Sequence, residues 1–334
     1  NQGDDEYLSR DDIRAAARDP SVTGRSAAAL AVLVDRMDDI VGLSDDERLW
    51  ESEIHRGDLA AIERMAASGN ADDAATARSF ANGMNAAERR IRNTNRDLFA
   101  DPAAGPDLNS IRQGRIGDCW VLATVGSICA HDPQAIANMI TERDDGRFRV
   151  NFPGGRTVTV PAPTDTELGF LGTAGSDGLW LPVLEKAVGE HYQQGYFFST
   201  TELDHEPIGD GGQTADAIEL LTGRDTTGFD PTRGRRRAND TVFFNRVADA
   251  FDADCVMVAS RRRGGDGSTL AKRHAYSVID VDREARTITI RNPWGSGDHM
   301  VNGRPRDGRN DGVMVLSIPE FRNWMDWLVI QDRE

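Results

Sequence analysis

A chain of 334 residues with 39% apolar and 28% charged residues is long enough for two or three compact units, each burying its own core. Its formal net charge of -16 is spread over the first hundred residues and the remainder alike, which predicts that nucleic acid and anionic lipid are repelled rather than bound. No apolar run reaches the roughly 18 to 20 residues that span a bilayer, so no membrane segment is expected.

The first residues, Asn1-Gln-Gly-Asp-Asp, are acidic where an export signal would be basic and then apolar, and they lack an initiator methionine. The chain reads as a soluble processed product or fragment, cytoplasmic or secreted, and its oligomeric state is open. Three cysteines, Cys119, Cys129 and Cys255, are too few for a disulfide framework and leave at least one free thiol. Cys129 and His131 lie close together, but no second ligand pair follows at zinc spacing.

In chain order, residues 7 to about 95 read as short helices opened by capping boxes at Ser9 with Asp12 and Ser44 with Glu47. Leu30, Val34, Met37 and Val41, then Leu59, Ile62 and Met65, recur at helical spacing and are expected in the core. The stretch Asp101-Pro-Ala-Ala-Gly-Pro106 reads as a linker, making 1–96 a separate and regulatory helical unit. Beyond it, 97–209 reads as a helical subdomain, with helices from Cys119 and over Leu179 to Tyr192. The glycine run Gly209 to Gly212 reads as a hinge, followed by a helix at Thr214 to Leu221. Within 210–334, Cys255 to Ser260, Ala275 to Val281, Thr287 to Arg291 and Val313 to Ile318 are valine- and isoleucine-rich and predict a mainly antiparallel sheet. No internal repeat is evident. The fold class expected is therefore α+β.

The segment Gln113-Gly-Arg-Ile-Gly-Asp-Cys119-Trp puts a cysteine after a glycine-rich loop and at the first turn of an apolar helix. Unpaired N–H groups and the positive dipole end at such a position favour thiolate, predicting a lowered cysteine pKa and a nucleophile. The Cys119 N–H and the Gln113 amide are the expected donors to a developing oxyanion. His274 opens one predicted strand and Asn292 ends the next, so both fall at one end of an antiparallel pair. There the asparagine carbonyl can fix the imidazole tautomer that takes a cysteine proton. Trp294 is expected to shield that pair from water.

These segments, with Leu179-Trp-Leu-Pro-Val-Leu-Glu-Lys-Ala187, the run Gly211 to Gly223, His274-Ala-Tyr-Ser-Val and Arg291-Asn-Pro-Trp-Gly295, resemble the calpain family of papain-like cysteine proteases. The resemblance spans about 100 to 334 and implies a papain-like core, with Cys119 on a helical subdomain facing His274 and Asn292 on a β subdomain. It assigns Gln113 to the oxyanion and Trp294 and Gly212 to the substrate cleft. It also implies calcium ligands at Glu185, Asp298 and Asp311. Ser110 and Val313 stand where the family uses carboxylates, so calcium is expected to bind weakly and not to be required. Asp5 to Asp12 resembles the second half of an EF-hand loop and its exit helix. The function expected is endopeptidase action on polypeptides through a Cys-His-Asn triad and an acyl-enzyme. The rival is a catalytically silent protein-binding module on the same fold, and acyl transfer to amines is a third reading.

Overall fold

The computed structural model describes residues 7–44, 53–193, 206–231, 239–262, 264 and 267–333. The N-terminal part comprises β1 (Tyr7–Leu8), α1 (Arg10–Ala17), α2 (Gly24–Ile40), β2 (Ile54–His55), α3 (Arg56–Ala67) and α4 (Ala71–Asn93). Next come α5 (Cys119–His131), α6 (Pro133–Ala137), β3 (Ile140–Glu142), β4 (Arg147–Asn151), β5 (Thr157–Pro161), α7 (Asp165–Phe170), α8 (Trp180–Gln193), α9 (Glu206–Gly209) and α10 (Thr214–Thr222). The last third holds β6 (Thr226–Phe229), α11 (Asp240–Phe251), β7 (Met257–Arg261), β8 (His274–Asp282), β9 (Thr287–Arg291), β10 (Met300–Val301), β11 (Arg304–Pro305), β12 (Val313–Ser317), α12 (Ile318–Trp324) and β13 (Trp327–Gln331).

The first capping box forms as expected, Asp12 N–H donating to Ser9 Oγ at 3.1 Å and Ser9 N–H to Asp12 Oδ2 at 3.0 Å. Of the second box, Glu47 lies outside the described residues; Ser44 donates from its N–H and its hydroxyl to Asp58 Oδ1, each at 2.8 Å. Strands β1 and β2 pair antiparallel, Leu8 opposite Ile54, and each runs into a boxed helix, through Ser9 and Asp12 in one and His55 and Asp58 in the other. The strand-to-helix unit thus occurs twice. The sequence hides this repeat because, from Ser9 and His55 onward, only Arg10 with Arg56, Asp12 with Asp58, Ala15 with Ala61 and Arg18 with Arg64 are identical at matching offsets.

Two expectations for this region are corrected. Leu59 is exposed and Met65 only half-buried, because β2 and α4 cover one side of α3 and that side presents Asp58 and Ala61, whereas the half-buried Ile62 packs as expected against the apolar cluster of Ile40, Ile54 and Phe80. Nor does the region pack as a separate unit: Ala17, Ala27, Ala28, Ala31, Ala87 and Ile91 share one apolar core with Trp120, Leu168, Phe170 and Trp180. Their short side chains let α2 and α4 press closely on α7, and the Thr164 hydroxyl donates to the Ala17 carbonyl at 2.6 Å.

The expected strands over the last third match β7, β8, β9 and β12 to within two residues. With β13 and β6 they form a six-stranded sheet ordered β12-β9-β8-β7-β13-β6, every pair antiparallel. The stretch 97–209 is not purely helical, since β3, β4 and β5 form their own antiparallel sheet. Helix α5 lies on β7 and β8, where its buried Ser127 accepts from Met257 N–H at 3.0 Å and donates to the Val278 carbonyl at 3.2 Å. That double bond pins the helix bearing Cys119 to the sheet bearing His274.

Candidate active site

The loop before α5 is held on three sides. Gln113 N–H donates to the Pro293 carbonyl at 2.8 Å, Arg115 N–H to Phe170 at 2.7 Å and Gly117 N–H to Gly209 at 2.6 Å. A Cβ on Gly117 would lie 2.3 Å from the Gly209 carbonyl, so only glycine permits that approach. Gly212 is equally constrained, its missing Cβ 2.4 Å from the Trp120 ring, whose Nε1 donates to the Ile208 carbonyl at 3.3 Å.

A cleft of about 870 Å³ is lined by Gln113, Cys119, Gly212, His274 and Trp294, bringing together five of the residues singled out from sequence. Asn292 lies fully buried behind the histidine, its Oδ1 2.8 Å from His274 Nε2. The Trp294 ring lies against the imidazole, centroids 4.4 Å apart, and is itself 44% exposed, so it covers the pair from solvent on one side. Tyr276 meets the imidazole edge-on at 5.1 Å. With rings on two faces and the Asn292 amide behind, burial pushes His274 down to about 4, the Asn292 bond opposing it only in part.

Cys119 is the first residue of α5, and the N–H of Ala275, next to His274, donates toward its sulfur. The expectation of a lowered thiol pKa is overturned for the substrate-free protein. Burial pushes the thiol up and the neighbouring Asp118 charge adds to it, while the N–H groups of Ala275, Trp120 and Cys119 pull the other way without prevailing. Cys129 and Cys255 are free and buried, as expected of core residues. The Gln113 Nε2 donates to the Ile116 carbonyl at 2.8 Å, which commits one of its two N–H bonds within the loop.

Beneath Cys119 lies a group of charges that sequence reasoning does not bring together: it reads Glu185 as a calcium ligand and singles out neither Asp118 nor Arg90. Asp118 and Glu185 are fully buried beside each other; burial raises Asp118 to about 6, and burial together with the Asp118 charge raises Glu185 well above its ordinary range. Arg90, from the end of α4, is half-buried beside both, donating to the Leu171 carbonyl and, at 3.5 Å, to the Gln113 carbonyl. Asp118 was legible as the neighbour of Cys119, whereas Arg90 is one arginine among many.

The calcium residues fall in two places. Glu185 accepts from Gly172 N–H at 3.0 Å and faces Asp118 in the interior, while Ser110 donates to Asp177 at 3.0 Å, so these two do not share a shell. Asp298 and Asp311 do come together, joined by Asp307, with one carboxylate oxygen of each within 4.8 Å of the others. Gly312 N–H donates to Asp298 Oδ1 at 2.7 Å, and the buried Asp298 Oδ2 has no donor among the described residues.

A mixed α and β fold with a cysteine at a helix start and a His-Asn pair across one cleft is an arrangement that could serve a thiol hydrolase. The family model described as "Calpain family cysteine protease" matches residues 89–311, and the chain belongs to that family. It is similar to Calpain clp-4 of Caenorhabditis elegans, 27% identical over 269 residues, covering 71% of this chain and 35% of that protein. It is also similar to the Calpain-1 catalytic subunit of Gallus gallus, 28% identical over 233 residues, 60% of this chain and 30% of the relative. The Calpain-type cysteine protease DEK1 of Zea mays is 25% identical over 249 residues, 67% of this chain and 11% of that protein. The chain therefore aligns with about a third or less of each relative's length.

Proposed function

We propose that the protein is a cysteine endopeptidase acting on extended polypeptide segments, with Cys119 as nucleophile, His274 as general base and Asn292 as its orienting partner. The observation that carries this reading is the His274 to Asn292 bond at 2.8 Å at the wall of the cleft that Cys119 lines. With Nε2–H donated to Asn292, the His274 Nδ1 lone pair takes the thiol proton as sulfur bonds to the scissile carbonyl carbon. The oxyanion is met by the Cys119 N–H, and by the Gln113 amide through its second N–H bond. The imidazolium returns its proton to the leaving amine, and a thioester remains. Water, deprotonated by His274, then attacks the thioester, freeing the carboxylic acid and returning the thiol.

No metal takes part in these steps. A divalent cation at Asp298, Asp307 and Asp311 would contribute charge balance, outside the lining of the catalytic cleft. No helix among the described residues is long and apolar enough to cross a membrane, which suits a peptide in water as substrate.

The rival, a silent binding module, draws support from one observation: the Gln113 amide is turned partly into its own loop. Casein or peptide hydrolysis under reducing conditions separates the two. Turnover that is lost in Cys119→Ala and on thiol alkylation supports the peptidase; no turnover in any form, with or without calcium, supports the module; amine incorporation without cleavage supports acyl transfer.

A further inference from the structure

The chain holds 55 acidic against 39 basic residues, yet its cleft inverts that balance, five basic residues facing only Asp35 and Asp210. Two of the five are committed within the protein. Arg115 lies 3.9 Å from Asp35, and the buried Arg261 donates to the Trp324 carbonyl at 3.4 Å. The other three, Arg262, Lys272 and Arg273, are exposed on the segment joining β7 to β8, on the His274 side of the cleft. None of them forms a salt bridge among the described residues. Asp326, the carboxylate beside them, accepts from the backbone N–H of Arg262 at 2.7 Å.

Three like charges gathered on one wall repel one another, and an acid-rich chain has many carboxylates with which to neutralise them. Low-dielectric walls concentrate their field into the cleft rather than dispersing it. Arg273 also adopts a φ of 52°, a left-handed conformation that a bulky residue takes only where its surroundings demand it, at the turn leading straight into His274. Trp294 and Trp327, which also line the cleft, are 44% and 39% exposed and offer apolar faces to a bound peptide.

We propose that Arg262, Lys272 and Arg273 form a subsite for acidic side chains, so that the preferred substrate is an extended segment carrying Asp or Glu within a few residues of the scissile bond. This rests on the peptidase reading and names its substrate class.

The test uses fluorogenic peptides of one length and one apolar centre, flanked by Asp and Glu, by Asn and Gln, or by Lys. Their kcat/KM is measured at low and high sodium chloride, and their binding to Cys119→Ala by fluorescence anisotropy. Acidic peptides are expected to exceed neutral ones about tenfold at low salt, the ratio shrinking at high salt as exposed charges are screened. Lysine peptides are expected to rank last, and the Arg262→Glu, Lys272→Glu double variant to reverse the order of acidic and lysine peptides. Equal kcat/KM for acidic and neutral peptides, together with equal binding to Cys119→Ala, overturns the subsite while leaving the peptidase intact. Preferential binding of acidic peptides without any cleavage upholds the subsite and removes the peptidase.

Discussion

The backbone N–H of Trp294 donates to Asn292 Oδ1 at 3.0 Å, and His274 Nε2 meets the same atom at 2.8 Å. A backbone N–H is always a donor, so the shared atom is the amide oxygen, Nε2 carries the proton and Nδ1 keeps its lone pair. Asn292 thus selects a tautomer, whereas on the proposed mechanism His274 would move the proton. Replacing Asn292 by Ala is expected to lower kcat about 10- to 100-fold, and replacing His274 by Ala about a thousandfold or more. Steady-state kinetics on folded variants checks the order; equal and complete loss in both contradicts it.

Burial pushes the Cys119 thiol up and His274 down, and both shifts oppose an ion pair in the substrate-free protein. Alkylation of Cys119 by iodoacetamide is expected to keep rising above pH 8, with no plateau between pH 5 and 7. Stability follows from His274. Its folded pKa, about 4, lies below the ordinary 6.5, so the unfolded chain binds more protons between these values and stability falls as pH drops through that window. The loss amounts to about 3 kcal/mol at most. Urea unfolding at pH 7 and pH 4, with His274→Gln as the flatter reference, measures it.

The residues that meet at the candidate site were legible because each sits at a local landmark: Cys119 at a loop-to-helix junction, His274 at a strand start and Asn292 at a strand end. What escaped the sequence is what depends on remote packing. The thiol shift arises from burial against β8 and from Asp118, neither of which helix-dipole reasoning includes. The β3 to β5 sheet was missed because its alternation runs through arginine and threonine, exposed on one face, in strands of five residues or fewer. The linker reading at Asp101 to Pro106 was sound as local chemistry, but Gly105 and Pro106 are buried and the Gln134 amide donates to the Ala103 carbonyl at 2.8 Å. A proline- and glycine-rich stretch can turn the chain without separating two cores.

The continuous core makes the N-terminal helices a structural requirement. A chain beginning at residue 97 loses the alanine face of α2, Ile91, and the Arg90 guanidinium that holds the Leu171 and Gln113 carbonyls. It is expected to aggregate or to lack a cooperative unfolding transition, seen by size exclusion and near-ultraviolet circular dichroism. A soluble, cooperative and fully active product would restore the separate-unit reading. The milder Arg90→Lys keeps a cation beside Asp118 and Glu185 but loses the planar fork, and kcat/KM is expected to fall about tenfold.

Calcium binding turns on the Asp298, Asp307 and Asp311 group. Burial raises the Asp298 pKa, and the charges of Asp311 and Asp307 raise it further, the signature of carboxylates that repel one another. Backbone N–H groups relieve part of this: Gly312 donates to Asp298 Oδ1 and Val313 to Asp311 Oδ1, at 2.7 and 3.1 Å. The donor-free Asp298 Oδ2 and the two neighbouring carboxylates offer hard oxygens to a cation, one more carboxylate than the sequence motif alone supplied. Three acids on one loop still fall short of a full shell of six to eight oxygens unless carbonyls and water complete it, so a Kd between about 10 μM and 1 mM is expected. Isothermal titration on the wild type and on Asp298→Asn measures it, the variant losing the heat. Peptide cleavage is expected to persist in chelator, because Ser127 already ties α5 to β7 and β8 and so holds Cys119 and His274 on one cleft without the ion. Activity that vanishes in chelator and returns with calcium, together with a Kd of 1 μM or below, would mean that the cation assembles the site and that these bonds do not hold it in solution.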